Sequence, residues 1–147
     1  MSLRLAFILF FLSAGASLAS PDNTSVKVTG AWVRATVPGQ PVAGAYMEIT
    51  SAKTTTLVKV ETPIANMAEI HSMKMENGVM RMQAMASLPL PANKTVRLSP
   101  GGDHLMLMGL KRQVKPGEKA PIRLTMKDDA GREETILVDF IVKAEAK

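Results

Sequence analysis

The sequence contains no cysteine among its 147 residues. Without thiols the chain can form no disulfide, offers no thiolate to a metal ion and has no thiol nucleophile. A blue-copper electron-transfer site is excluded, because such sites require a cysteine thiolate. Small exported domains commonly rely on disulfides, so this chain must instead be held together by a core of fair size.

Aromatic residues are also scarce, at 4% of the chain. Beyond the N-terminal apolar segment, the first half of the chain has only Trp32 and Tyr46, and basic residues are not interleaved with them. The lysines and arginines are scattered and give a net charge of +5 without forming a block of like charge. This pattern indicates ordinary solubility and argues against nucleic-acid binding.

Long hydrophobic runs are absent except for one at Leu5–Leu12. It follows Arg4 and precedes the small residues of Ser17–Ala19, an order that predicts a secretory signal peptide over residues 1–19. The run is too short to span a bilayer, although a membrane-anchoring helix is the alternative. We therefore expect residues 20–147 to form a single periplasmic domain with no transmembrane segment.

No stretch of helical length shows a periodicity of about 3.6 residues. Short apolar or alternating runs recur instead, separated by glycine, proline and asparagine, with one turn predicted at Pro89–Lys94. Regular short strands with such turns predict an all-β sandwich or barrel. The predicted strands are Ser25–Val28, Ala31–Ala35, Ala43–Thr50, Leu57–Glu61, Met67–Glu76, Val79–Ala86, Thr95–Leu98, His104–Leu110, Ile122–Lys127 and Glu134–Val142.

One predicted hairpin has a definite register. Asn77 and Gly78 form the residue pair that favours a two-residue type I′ turn. The pairs that this turn places opposite each other are Glu76–Val79, Met75–Met80, Met73–Met82 and His71–Ala84. The methionine face is expected to point inward or toward a site, and the opposite, mostly polar face is expected to meet water.

Methionine is abundant and histidine is rare, with eleven and two residues respectively. Because alternate residues of a strand share a face, His104 lies on the same face as Met106. In the predicted hairpin, His71 and Met82 are diagonal neighbours within reach of long side chains. Thioether and imidazole donors together favour Cu(I) over hard cations. The alternative is that these methionines simply fill the core.

The four residues follow the spacing H-x10-M-x21-H-x-M, formed by His71, Met82, His104 and Met106. With the segments "HSMKMENGVMRM" and "PGGDHLMLMGLK", this pattern resembles the periplasmic PCu(A)C copper chaperones, and the likeness extends to Ala31–Ile49. The resemblance implies a cupredoxin-like, Greek-key β-sandwich or barrel with a Cu(I) site made of these four residues. It also implies delivery of copper toward the binuclear copper site of cytochrome c oxidase, to subunit II or through a thiol-bearing chaperone.

The remaining methionines are interpreted mainly as packing. Met75, Met80 and Met108 are predicted core residues, and Trp32 is predicted to be a core anchor. Met73 is also interpreted as core, with the roles of spare ligand or transfer ligand left open.

We expect a monomeric carrier and not an enzyme. The chain has no G-x-S-x-G nucleophile motif. The predicted cleavage would leave Ser20 at the new N-terminus, where a histidine-brace copper oxygenase would need histidine. Two alternatives stay open: a periplasmic copper-resistance or storage carrier that uses the same site, and a metal-free β-sandwich interaction module.

Overall fold

The computed structural model describes residues 24–144, so the predicted signal peptide lies outside the described residues. Within this range the chain is all-β, as predicted, with ten strands. No helix among these residues has the length and apolar character needed to cross a bilayer. The strands are β1 (Val26–Arg34), β2 (Val42–Ser51), β3 (Thr55–Glu61), β4 (Ala65–Glu76), β5 (Val79–Met85), β6 (Leu88–Leu90), β7 (Thr95–Leu98), β8 (His104–Leu110), β9 (Lys119–Lys127) and β10 (Glu133–Lys143).

Nine of the strands follow one hydrogen-bonded path, in the order β5-β4-β8-β2-β1-β10-β9-β3-β6, and β7 pairs with β2. The pair formed by β1 and β10 is parallel. The other described pairs are antiparallel. The order places β8 between β4 and β2, so the two segments that contain the histidines are direct neighbours.

The core lies between the inner faces of the two halves of this path. Leu105 and Leu107 of β8 are completely buried in one cluster with Leu124 of β9. Because alternate side chains of a strand point to opposite faces, this burial directs His104 and Met106 to the other face. We call that side of the β5-β4-β8-β2-β1 portion, away from the core, the outer face.

The first two predicted strands are in fact one. The segments predicted at Ser25–Val28 and Ala31–Ala35 join in β1, whose pairing with β2 shifts register between Thr29 and Trp32. Gly30 lies inside the shift with a φ of 60°, a conformation that glycine adopts without strain. The glycine therefore marks a bulge within a strand and does not end it.

The strand β6 was missed, because its proline favoured a turn in the sequence. Leu88 and Leu90 are buried and Pro89 is exposed between them. The strand β6 is at the end of the sheet path, where its one neighbour on the path is β3. Proline donates no backbone hydrogen bond, and an edge strand is where that loss is tolerated.

The β4–β5 hairpin has the predicted register throughout. Asn77 and Gly78 have φ angles of 50° and 76°, which fit a type I′ turn. Ile70 and Ser72 of β4 are buried on the inner face, so the expectation that the mostly polar face of the hairpin meets water was wrong at Ser72.

Apart from Met85, which packs against the core, the methionines of the hairpin lie on the outer face, as does Met108 of β8, and this corrects several core predictions. Met75 and Met80, predicted as core, are exposed near the turn. Met73 and Met108 are only partly buried. The physical reason is that β5 is the first strand of the sheet path and hardly enters the core: all its residues except Met85 are exposed.

The strand that contains His104 should depend strongly on its inner face. Leu105→Ala should lower the free energy of unfolding by about 2–5 kcal/mol, because it leaves a cavity at a completely buried position. Leu137→Ala on β10 is the control and should change the free energy of unfolding by less than about 0.5 kcal/mol, because Leu137 is exposed. Urea denaturation followed by circular dichroism measures both. Equal losses would contradict this placement of the core.

Candidate metal centre

The two histidines of the chain meet on the outer face. His71 of β4 lies directly opposite His104 of β8 in the antiparallel register, and their ring centroids are 5.7 Å apart. Both rings are shielded from water: His104 is 6% exposed and the side chain of His71 is 12% exposed. Residues far apart in sequence are thus brought together by the pairing of β4 with β8.

The two predicted thioether ligands flank this pair. Met82 of β5 lies opposite Met73, one diagonal step from His71. Met106 follows His104 on the same face of β8 and lies opposite Glu69. All four predicted ligands therefore occupy adjacent positions on three neighbouring strands.

An open cavity of about 280 Å³ lies over these strands, and His104, Met82 and Met106 line it together with Met73. His71 is outside that lining and packs against His104. Met82 is half-exposed, whereas His104 is buried. The site therefore runs from a buried pair of imidazoles to a thioether in contact with solvent.

Each imidazole has one ring nitrogen in a hydrogen bond. His104 Nδ1 lies 2.9 Å from the carbonyl oxygen of Gly102, and a carbonyl can only accept, so Nδ1 carries the proton. His71 Nε2 lies 2.8 Å from Oε2 of Glu69. His71 Nδ1 is buried and has no hydrogen-bond partner. In a neutral ring the second nitrogen has a free lone pair, which is what a metal ion binds.

An aromatic layer borders the histidine pair on β2 and β1. The ring of Tyr46 lies 6.4 Å from that of His104 and 4.6 Å from that of Trp32, between centroids. The guanidinium carbon of Arg34 lies 5.7 Å from the centroid of the Tyr46 ring. The prediction of Trp32 as a core anchor was wrong, because Val33 takes the core position of β1 and turns Trp32 outward.

Gly44 makes room for this layer. A β-carbon at position 44 would lie 2.4 Å from Oη and 2.9 Å from Cζ of Tyr46. Gly44 is also the register partner of Met106. The absence of a side chain at position 44 lets the tyrosine ring cover the strand beside a predicted ligand.

Comparison with known proteins decides the family. The sequence profile described as "LpqE-like: Putative lipoprotein LpqE-like" matches residues 26–140. The chain belongs to the LpqE-like family. One relative of this chain is "Putative lipoprotein Lxx21020" of Leifsonia xyli subsp. xyli (strain CTCB07). The two are 33% identical over 118 residues, which cover 80% of this chain and 71% of the relative.

Solved structures similar to this LpqE-like chain are PCuAC domains and DR1885. Apo-DR1885 from Deinococcus radiodurans is 33% identical with a TM-score of 0.61, covering 99% of this chain and 96% of that one. Its Cu(I) form is 34% identical with a TM-score of 0.55, covering 87% and 83% respectively. The apo PCuAC domain from PmoF1, 24% identical, has a TM-score of 0.66 and covers 82% of this chain and 95% of that one. The predicted cupredoxin-like fold and the resemblance to PCu(A)C copper chaperones are confirmed.

Residues missed from the sequence complete the surroundings of the site. Glu69, Arg34 and Tyr46 contact or border the histidines and methionines, yet none belongs to the H-x10-M-x21-H-x-M spacing. The available signal was strand alternation, which places Glu69 on the same face as His71. Alternation does not show which of these side chains turn toward the ligands.

The tight contact at Gly44 leads to a test. Gly44→Ala should displace the Tyr46 ring, weaken the near-ultraviolet circular dichroism of the Trp32–Tyr46 pair, and cost about 1–3 kcal/mol of stability through overpacking. Gly102→Ala is the control, because its added β-carbon would meet its nearest atom at an ordinary 3.4 Å. An unchanged aromatic spectrum in Gly44→Ala would show that the tyrosine ring does not lie over this strand.

Proposed function

We propose that this LpqE-like protein binds Cu(I) through His71, Met82, His104 and Met106 and passes the ion to a partner protein. The observation that supports this most is the direct pairing of His71 with His104 across β4 and β8, with a thioether on each side. The pairing gathers two imidazoles and two thioethers in one small region of the outer face. Packing alone does not explain a buried His71 Nδ1 without a partner.

The donor set suits Cu(I) better than other common ions. Thioether sulfur is a soft ligand that selects Cu(I), and imidazole is compatible with it. A thioether needs no deprotonation and forms no disulfide, so it remains available in an oxidising compartment. Four neutral donors add no negative charge, which favours a monovalent over a divalent ion. The existence of a Cu(I) form of DR1885, 34% identical to this chain, supports the same assignment here.

The gradient of exposure suggests how copper leaves. Met82 is 49% exposed on the edge strand β5, whereas His104 is 6% exposed. A thiolate or imidazole of the partner can reach the copper from the side of Met82, displace that thioether first and then replace the remaining ligands in turn. The ion is never without ligands during such an exchange. The protein thus acts as a carrier, and no catalytic step is required of it.

The destination that we propose is the binuclear copper site of cytochrome c oxidase, reached on subunit II or through a thiol-bearing chaperone. The likeness to PCu(A)C chaperones supports it, and the predicted signal peptide and the lipoprotein relatives support a location in the periplasm. The carrier is proposed to act as a monomer.

The ligand set is tested by Cu(I) titration of the purified protein against a competing chelator. Met82→Leu keeps the volume of the side chain and removes the sulfur, so the Cu(I) affinity should fall by about tenfold or more, equal to at least about 1.4 kcal/mol. His71→Ala, His104→Ala and Met106→Leu should weaken binding in the same way.

Met80→Leu is the matched control for this titration. It lies on the same strand and face as Met82, and the two are similarly exposed, at 46% and 49%. Its Cu(I) affinity should equal that of the unaltered protein. Equal affinities for Met82→Leu and Met80→Leu would contradict the proposed ligand set.

The destination is tested in cells of the source organism that lack the protein. At low copper their cytochrome c oxidase activity should fall and should recover on supplementation with copper. Complementation with the His104→Ala variant should not restore it, because a required ligand is missing. Normal oxidase activity at low copper, combined with sensitivity to high copper, would favour a resistance or storage carrier instead.

A further inference from the structure

Glu69 contacts a proposed ligand and is not itself part of the proposed ligand set. It lies two residues before His71 on the outer face of β4, and its Oε2 is 2.8 Å from His71 Nε2. In the sheet register it stands opposite Met106. Its side chain is 37% exposed, so the carboxylate reaches water while one of its oxygens contacts the ring.

This contact determines which nitrogen of His71 is protonated. A carboxylate only accepts hydrogen bonds, so Nε2 carries the hydrogen and donates it to Glu69. The lone pair of the neutral ring is then on Nδ1. That atom is buried and has no hydrogen-bond partner. A buried polar atom without a partner is uncommon enough in folded proteins to require an explanation, such as an ion that occupies the position.

The other histidine is held in the opposite form. His104 donates from Nδ1 to the carbonyl oxygen of Gly102 at 2.9 Å, which leaves its lone pair on Nε2. The two rings are neighbours across β4 and β8, with centroids 5.7 Å apart and ring planes at 57° to each other. The pair therefore offers two different nitrogens, each fixed by a hydrogen bond at the far side of its ring.

We propose that Glu69 is a positioning residue that holds His71 so that copper binds its Nδ1, while the same ion binds Nε2 of His104. This inference rests on the proposed Cu(I) function. Partners that orient a metal-binding histidine typically change metal affinity by about 10–100-fold when they are removed. Glu69 acts by holding the ring before the ion arrives, and it is not a ligand itself.

The hydrogen positions are measured by long-range proton–nitrogen NMR on the 15N-labelled protein. Before copper is added, His71 should have its proton on Nε2 and His104 should have its proton on Nδ1. One equivalent of Cu(I), which is diamagnetic, should shift the resonances of His71 Nδ1 and His104 Nε2. The chain has two histidines, so the His71→Ala spectrum assigns the signals. A shift at His71 Nε2 in place of Nδ1 would overturn the proposal.

Variants of Glu69 separate a hydrogen bond from a merely structural role. Glu69→Ala should weaken Cu(I) binding by about 10–100-fold and lose the fixed proton position of His71. Glu69→Gln keeps an oxygen acceptor, so it should restore the proton position and most of the affinity. Glu48→Ala is the matched control. The side chain of Glu48 is 40% exposed, and its carboxylate forms an ion pair with Arg97 at 2.7 Å instead of contacting a histidine. It should leave both measurements unchanged.

The outcomes distinguish this inference from the function on which it rests. If the unaltered protein binds Cu(I) and Glu69→Ala keeps its affinity and proton position, the role of Glu69 is wrong and the carrier function stands. If Glu69→Gln is as weak as Glu69→Ala, the hydrogen bond is not the reason for the effect, and the proposal fails. If the unaltered protein does not bind Cu(I), both proposals fail.

Discussion

The pairing of β4 with β8 is the interaction on which the site depends. It is fixed from the inner face, where Ile70 and Leu105 are register partners and both are buried. A slip of one residue would turn every side chain of a strand to the opposite face and bring core residues into water. The energy that holds His71 opposite His104 therefore comes from the hydrophobic core beneath them.

In this arrangement the two faces of the sheet have different roles. The inner face supplies stability without any disulfide, through a cluster that unites residues of both halves of the sheet path. The outer face holds the proposed donors at different depths, from the buried His104 to the half-exposed Met82. The proposed copper carrier needs both properties, because the proposed ligands must keep their positions without copper and yet be accessible to a partner.

The local parts of this structure could be predicted from the sequence. Asn77 and Gly78 gave the hairpin register, since a two-residue turn determines every pair along its strands. The strands Thr95–Leu98 and His104–Leu110 were predicted with their observed bounds, because turn residues lie beside each of them. Alternation also indicated correctly that His104 and Met106 share one face.

What the sequence could not supply were the long-range contacts and the identity of the buried face. Alternation groups Met73, Met75 and Met80 on one side of the hairpin but does not reveal whether a second layer covers that side. The methionines were therefore assigned to the core, although β5 is an edge strand with an exposed outer face. The strands β4 and β8 are neighbours through a pairing of segments that are distant in sequence. Only the family resemblance indicated that these two segments meet. Glu69 was missed for a different reason: it is only two residues from His71, and its contact with that ring depends on side-chain direction.

In the proposed site, one Cu(I) ion is shared by a pair of imidazoles and a pair of thioethers on three adjacent strands. X-ray absorption spectroscopy of the copper-loaded protein measures this most directly, because it distinguishes sulfur from nitrogen neighbours of the metal. We expect about two sulfur and two nitrogen neighbours, with one sulfur lost in Met82→Leu and one in Met106→Leu, in keeping with the soft character of Cu(I). A shell of nitrogen and oxygen alone, or a sulfur count that neither substitution changes, would contradict it.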